Sequence, residues 1–213
     1  MEQHKKIAVL GGSGRTGHYL VTELLNRGFH VTCLVRHPEK LAITSPMLTV
    51  LQGNGLDENA VRSLVANSEA VMNTIGQRKG EPLVSSASTH IIIQAMELYH
   101  VKRYIALTGV SIDVPGDRKK MKTRFSSSLM RLFFSEIIRD KQHAFELLKG
   151  STLAWTLLRV PFIEFKEAGN SVVVDHEDCP GTKVSAGDIA DFMINQLSDT
   201  RYVAKAPFIA NGK

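Results

Sequence analysis

Only two cysteines occur in the chain, Cys33 inside an apolar run and Cys179 far away in a polar one. They make no disulfide framework and suit a reducing compartment, so a cytoplasmic location is expected. No long apolar run follows the amino end: Ile7-Ala8-Val9-Leu10 gives way at once to glycines, too short a stretch for a signal peptide or a membrane span. Internal repeats, low-complexity tracts and linker-like stretches are also missing, which argues against a second domain. One short cluster, His176-Glu177-Asp178-Cys179, carries metal-type side chains but has no distant partner to complete a tetrahedral site. No metal is expected. Nor does a Ser-His-Asp elbow, a Cys-His nucleophile signature or a nucleic-acid motif appear.

What is present fits one globular domain: 213 residues, 43% hydrophobic and 22% charged. The net charge of +5 favours anionic partners in general, nucleotides included, without choosing among them. Short β-branched runs recur at Ile7 to Leu10, Val31 to Val35, Leu48 to Leu51, Ala70 to Ile75, Arg103 to Thr108 and Trp155 to Val160. Helical patterns lie between them. Leu20, Val21, Leu24 and Leu25 form one apolar stripe that Gly28 is placed to end, and Asp57 caps a second helix. Ser85 or Ser86 is expected to cap a third, and Ser185-Ala186-Gly187-Asp188 reads as a capping box. Strands alternating with helices imply parallel pairing through right-handed crossovers. The expected fold is an α/β doubly wound parallel sheet, a Rossmann-like three-layer sandwich, as a single domain over residues 1–213.

A loop-helix insertion is expected around residues 109–139, where Pro115-Gly116-Asp117 signals a turn before helical patterning resumes at Phe125. The basic residues there, from Arg118 through Lys119, Lys120, Lys122, Arg124, Arg131 and Arg139 to Lys141, read first as a solvated helix face. No nucleic-acid or membrane partner is therefore expected, and a docking helix is the minor reading. Phe125, Phe133 and Phe134 are expected in the core, with a lid over a flat ligand as the alternative. The break in alternation and the charge density predict mobility for the insertion.

The densest signal is Gly11-Gly12-Ser13-Gly14-Arg15-Thr16-Gly17, directly after the first strand and opening the first helix. Glycines are needed there for a tight turn, for close approach of backbone N–H groups to a pyrophosphate and for helix-to-strand packing. The positive end of the helix then faces the phosphates. At the end of the second strand an NAD site would place an acid for the ribose 2′-hydroxyl. Arg36 stands there instead, which favours a 2′-phosphate and hence NADP(H), with Lys40 and Arg15 adding to the field. The alternative for Arg36 is a surface cation beside Glu39. Gly53-Asn54-Gly55 and Thr74-Ile75-Gly76 lie where a doubly wound sheet binds ligand, with Asn54 facing the adenine edge or simply forming a turn.

These residues resemble the atypical short-chain dehydrogenase/reductase group that includes biliverdin IXβ reductase, flavin reductases and NmrA-like proteins. The resemblance runs through the glycine loop, Val35-Arg36, Gly53-Asn54, Ile75-Gly76-Gln77-Arg78, Leu107-Thr108, Ser151-Thr152-Leu153, and Ser185 with Asp188-Ile189. It implies pyrophosphate on the first glycines, the 2′-phosphate on Arg36, and nicotinamide against the segment that holds Val160, Pro161 and Phe162. The residue after Gly53 is commonly an aspartate in that group; Asn54 replaces it here. Ordinary short-chain dehydrogenases use a tyrosine four residues before a lysine. In this chain the residue four beyond each of the four tyrosines is Glu23, Arg103, Thr108 or Ala206. Alcohol oxidation through a tyrosinate is thus disfavoured, and a planar flavin-like, quinone-like or tetrapyrrole acceptor stays compatible. Thr108 and Ser111 are the candidate hydroxyls for contacting nicotinamide or acceptor. An NmrA-like NADP(H) sensor without turnover is the alternative function.

Overall fold

A computed structural model describes residues 5–77 and 80–212. Alternation within the first strand sets the layers. In β1 (Lys6–Leu10), Ile7 and Val9 bury on one face of the sheet while Ala8 and Leu10 bury on the other. A strand apolar on both faces needs helices on both. Leu20, Val21 and Leu24 of α1 (Arg15–Asn26) cover the Ile7 face. Gly28, at φ +80°, ends that helix as its position in the sequence foretells.

The next strands, β2 (His30–Val35), β3 (Leu48–Gln52) and β4 (Ala70–Asn73), join β1 in the order β3-β2-β1-β4. On the Leu10 face lie α2 (Glu58–Val65) and α3 (Ser85–Leu98). Asp57 caps α2, its carboxylate accepting from Asn59 N at 3.0 Å and Ala60 N at 3.1 Å. Neither Ser85 nor Ser86 caps α3. Instead the Asp140 carboxylate, 55 residues away in sequence, accepts from Ser85 N at 2.8 Å and Ser86 N at 3.2 Å. A charged acceptor at a helix N-terminus is the stronger solution, and no local pattern encodes it.

Beyond β4 the sheet continues through β5 (Arg103–Gly109) and β6 (Ala154–Val160). Between these two strands the structure holds two helices rather than one inserted helix. They are α4 (Met121–Phe133) and α5 (Ser135–Gly150), and the latter packs Phe145 and Leu148 into the core. Four short strands close the chain: β7 (Phe162–Glu164), β8 (Val172–Asp175), β9 (Lys183–Ser185) and β10 (Phe208–Asn211). β10 joins β6 in parallel and β8 runs antiparallel to β10 at the edge, so the doubly wound parallel sheet that the sequence leads one to expect has eight strands, the last of them reversed. β7 and β9 form a separate parallel pair.

The last helix, α6 (Ala186–Asn195), returns to the α1 side and completes the three layers. Its cap is only partly the expected box. Ser185 Oγ accepts from Asp188 N at 2.9 Å, but Ser185 N donates to Asn211 Oδ1 at 2.8 Å. Burial works against ionisation of Asp188, yet donors from Ser185, Gly169, Asn170 and Asn211 outweigh it and hold the carboxyl pKa down at about 2. One side chain thereby ties α6, β10 and the 169–170 turn together.

Candidate functional site

Strand order reverses between β1 and β4, and ligands of open α/β sheets bind at such a switch point, outside the carboxyl ends of the strands. The glycine loop sits there. Gly11 has φ +82°, and a Cβ on it would meet Ile75 N at 2.7 Å. A Cβ on Gly17 would lie 2.1 Å from the Gly11 carbonyl oxygen, so this glycine lets α1 approach the strand. Gly14 differs from both. It is exposed, has ordinary extended dihedrals, and its Cβ would meet only Gly11 O, at 3.0 Å.

Because Gly14 is the N-cap, α1 has no side-chain cap, and its first turn holds no acidic residue. The first backbone bond into the helix is His18 N to Gly14 O, at 2.9 Å, leaving earlier N–H groups for a ligand. Ser13 and Thr16 are half-buried within the loop. Arg15 projects outward and places its guanidinium 3.9 Å from the Phe165 ring centroid.

Arg36 follows β2 directly, its side chain 62% exposed and only loosely paired with Glu81 at 3.9 Å. Glu39 engages His37, so the alternative for Arg36, a surface cation held by Glu39, is not formed. Lys40 is exposed in the short turn after it. Asn54 forms an Asx turn, its Oδ1 accepting from Leu56 N at 2.7 Å, and Gly55 lies against Ile75 and Ser88. β4 stops at Asn73 rather than Ile75. Thr74 Oγ1 donates to the Leu10 carbonyl at 3.1 Å, which secures the start of the Thr74-Ile75-Gly76 segment against the phosphate loop. Arg78 lies outside the described residues.

One pocket at this edge brings together side chains from distant parts of the chain, among them Asn73, Ile75, Tyr104, Thr108 and Lys141. Thr108 Oγ1 is buried without a hydrogen-bond partner among the described residues. Asn73 donates to Tyr104 Oη at 2.9 Å and accepts from Ile75 N at 2.9 Å. Burial pushes the Tyr104 phenol up to about 12, so it stays protonated despite hydrogen bonds from Asn73 and Thr89 that act the other way. In the sequence Lys141 is only the last cation of the basic run. Burial lowers its pKa, and the neighbouring Asp140 partly restores it. The residue four before it is Ile137, so the tyrosine-lysine pair at that sequence spacing is absent, and the pocket's tyrosine, Tyr104, comes from β5.

Ser111 is buried just beyond β5 and does not line that pocket; its carbonyl accepts from Arg131. Register places Thr108 beside Arg159 and Gly109 beside Val160. Val160 is buried, Pro161 half-buried and Phe162 69% exposed at the start of β7. Arg159 itself is committed to protein contacts. Its guanidinium grips both Asp117 oxygens at 2.7 and 2.8 Å and lies 3.5 Å from the Phe208 ring centroid. Arg118 N and Lys120 N donate to Glu177 O and Asp178 Oδ1, which joins the end of this loop to the turn after β8. Asp178 and Cys179 serve that local structure, and no group of three metal-type side chains converges among the described residues.

A glycine loop and an open helix N-terminus at the switch point of a Rossmann-like sheet are the arrangement that takes a dinucleotide. The chain belongs to the NAD(P)H-binding family, whose model matches residues 11–200. It is 23% identical to an uncharacterised chloroplast protein of Arabidopsis thaliana over 82% of this chain and 65% of that one. The chain spans less than two thirds of the length of the curated relatives it matches. Among solved structures it superposes on ChuY, an anaerobilin reductase from Escherichia coli O157:H7, with a TM-score of 0.80, 17% identity and 98% of each chain covered. A short-chain dehydrogenase/reductase from Veillonella parvula in complex with NADP gives 0.74 and 18%, covering 98% of this chain and 95% of that one. Among the described residues no helix is long and apolar enough to cross a membrane.

Proposed function

We propose that this chain is an NADPH-dependent reductase that passes hydride to a planar flavin-like, quinone-like or tetrapyrrole acceptor. The observation that carries it is the buried Thr108 hydroxyl without a partner among the described residues, lining the same pocket as Lys141, a lysine with no tyrosine four residues before it. An unsatisfied buried hydroxyl costs about 1–3 kcal/mol, and the polar edge of a nicotinamide riboside would relieve it. Bound NADPH supplies the hydride. Gly11, Gly12, Gly14 and the open end of α1 hold the pyrophosphate, Arg36 and Lys40 face the 2′-phosphate, and Thr108 with Lys141 orients the nicotinamide end. Orientation over the cofactor is then the main contribution of the protein, as suits an acceptor that needs little acid-base help. The anaerobilin reductase named for a structural neighbour supports the tetrapyrrole option. Both cysteines are free thiols, in keeping with a reducing compartment such as the cytosol.

A turnover screen with NADPH against FMN, riboflavin, quinones and biliverdin tests the reading. At least one acceptor should be reduced, with Thr108→Val costing at most about tenfold, or about 1.4 kcal/mol, because that hydroxyl positions rather than donates a proton. Tight NADPH binding with no acceptor reduced above the protein-free rate would overturn it.

Arg36→Ala should weaken NADPH by about 1–3 kcal/mol and leave NADH nearly unchanged, since only the 2′-phosphate offers a charge-assisted partner. The loose contact with Glu81 offers little competition for the guanidinium. Calorimetry on the unmodified chain giving equal affinities for the two cofactors would refute the assignment.

A further inference from the structure

α4 is built inside out. The helix reads Met-Lys-Thr-Arg-Phe-Ser-Ser-Ser-Leu-Met-Arg-Leu-Phe, and the residues it buries are Thr123 and Ser127. Its large apolar side chains face solvent: Met121 is 86% exposed, Leu132 76%, Phe125 73% and Phe133 60%. The expectation that Phe125 and Phe133 are core residues is thus overturned. At about 100° per residue, Met121, Leu132, Phe125 and Leu129 fall within an arc of about 80° whose centre is opposite Thr123 and Ser127. That arc cannot be a lid folded over the pocket, because it points away from the body of the protein.

Cations border the arc. Lys122 lies at one flank and Arg124 and Arg131 at the other, and the helix contains no acidic residue. Arg131 pairs with Asp113, whereas Lys122 and Arg124 form no ion pair among the described residues. An apolar stripe between two cationic flanks on a helix about 20 Å long matches what lies flat in a bilayer interface. The apolar side chains enter the acyl boundary and the cations meet anionic headgroups. A second copy is a poor match, because two such helices would bring unpaired cations together with no acid to alternate. Nucleic acid would satisfy the cations but leave the central stripe in water.

We propose that α4 docks this protein peripherally on an anionic lipid surface, inserting Phe125, Leu132 and Met121 between the headgroups. The whole chain should co-sediment with phosphatidylcholine vesicles carrying about 30 mol % phosphatidylglycerol at least about tenfold better than with phosphatidylcholine alone. Phe125→Ser with Leu132→Ser should remove binding to both vesicle types. Lys122→Ser with Arg124→Ser should remove only the preference for the anionic one. All four positions are exposed, so circular dichroism melts should match the unmodified chain. Three results would overturn the proposal: equal partitioning for all variants, a dimer in sedimentation equilibrium that Phe125→Ser dissociates, or duplex DNA binding indifferent to Phe125 and Leu132.

Discussion

Gly14→Val is expected to lower NADPH affinity more than about 100-fold, or about 2.7 kcal/mol, while the protein stays folded. The glycines of the loop are not equivalent. Gly14 has φ −77° and ψ 163°, which any residue adopts, and its Cβ would meet only the Gly11 carbonyl oxygen, at 3.0 Å. A valine there needs a small adjustment of the loop, and its methyl groups enter the space through which a pyrophosphate must reach the unpaired N–H groups of α1. Gly17→Ala is the matching control. Its Cβ would fall 2.1 Å from Gly11 O and 2.7 Å from Gly11 C, backbone atoms that cannot yield without parting the helix from the strand. That variant should lose its cooperative melt, whereas Gly14→Val should lose only cofactor. Calorimetric titration with NADPH alongside thermal melts separates the two. A Gly14→Val protein that still binds NADPH within about threefold of the original would remove the glycine loop from the cofactor site.

The glycine loop was legible because its requirements are local: a strand, a tight turn and a helix start lie within one stretch of sequence. Arg36 was legible for the same reason, standing immediately after β2. Lys141 was not. Its companions Asn73, Tyr104 and Thr108 come from two strands, and only the packing of Phe145 and Leu148 brings α5 over them. The α3 cap was missed because its acceptor, Asp140, belongs to that same later helix. The short strands β7 to β10 have three or four residues each, too few for alternation to stand out from turns. In α4 the helical period was visible, but which side faced inward was not. Binary pattern assigns the apolar stripe to the core, and the serine-threonine face is buried instead.

Asp117→Ala is expected to destabilise the protein by about 3–5 kcal/mol, because it leaves the Arg159 guanidinium buried and without its counter-charge. The Arg159 side chain is 1% exposed, the Asp117 carboxylate 10%. Besides Asp117, Arg159 has the Ala206 carbonyl at 2.7 Å, the His176 carbonyl at 3.2 Å and the face of Phe208, none of which carries a negative charge. Lys119, whose side chain is 8% exposed, lies 3.4 Å from the same carboxylate and would lose that contact while keeping Asp113 at 3.0 Å. Asp117 also closes its own turn, Val114 N donating to Oδ2 at 3.1 Å. At about 2–4 °C per kcal/mol for a chain of this size, the melting temperature should fall by roughly 6–20 °C. Asp117→Asn should fall between, keeping hydrogen-bonding capacity without charge. Pairing Asp117→Leu with Arg159→Met should recover most of the loss, as apolar replacement of a buried ion pair does elsewhere. Hydrogen exchange supplies the local readout. In the original chain residues 110–120 should exchange slowly although they form a loop, and in Asp117→Ala they should open before the central strands do. A drop below about 2 °C, with exchange in that loop unchanged, would show that the Arg159 pair does not hold residues 110–120 to the sheet.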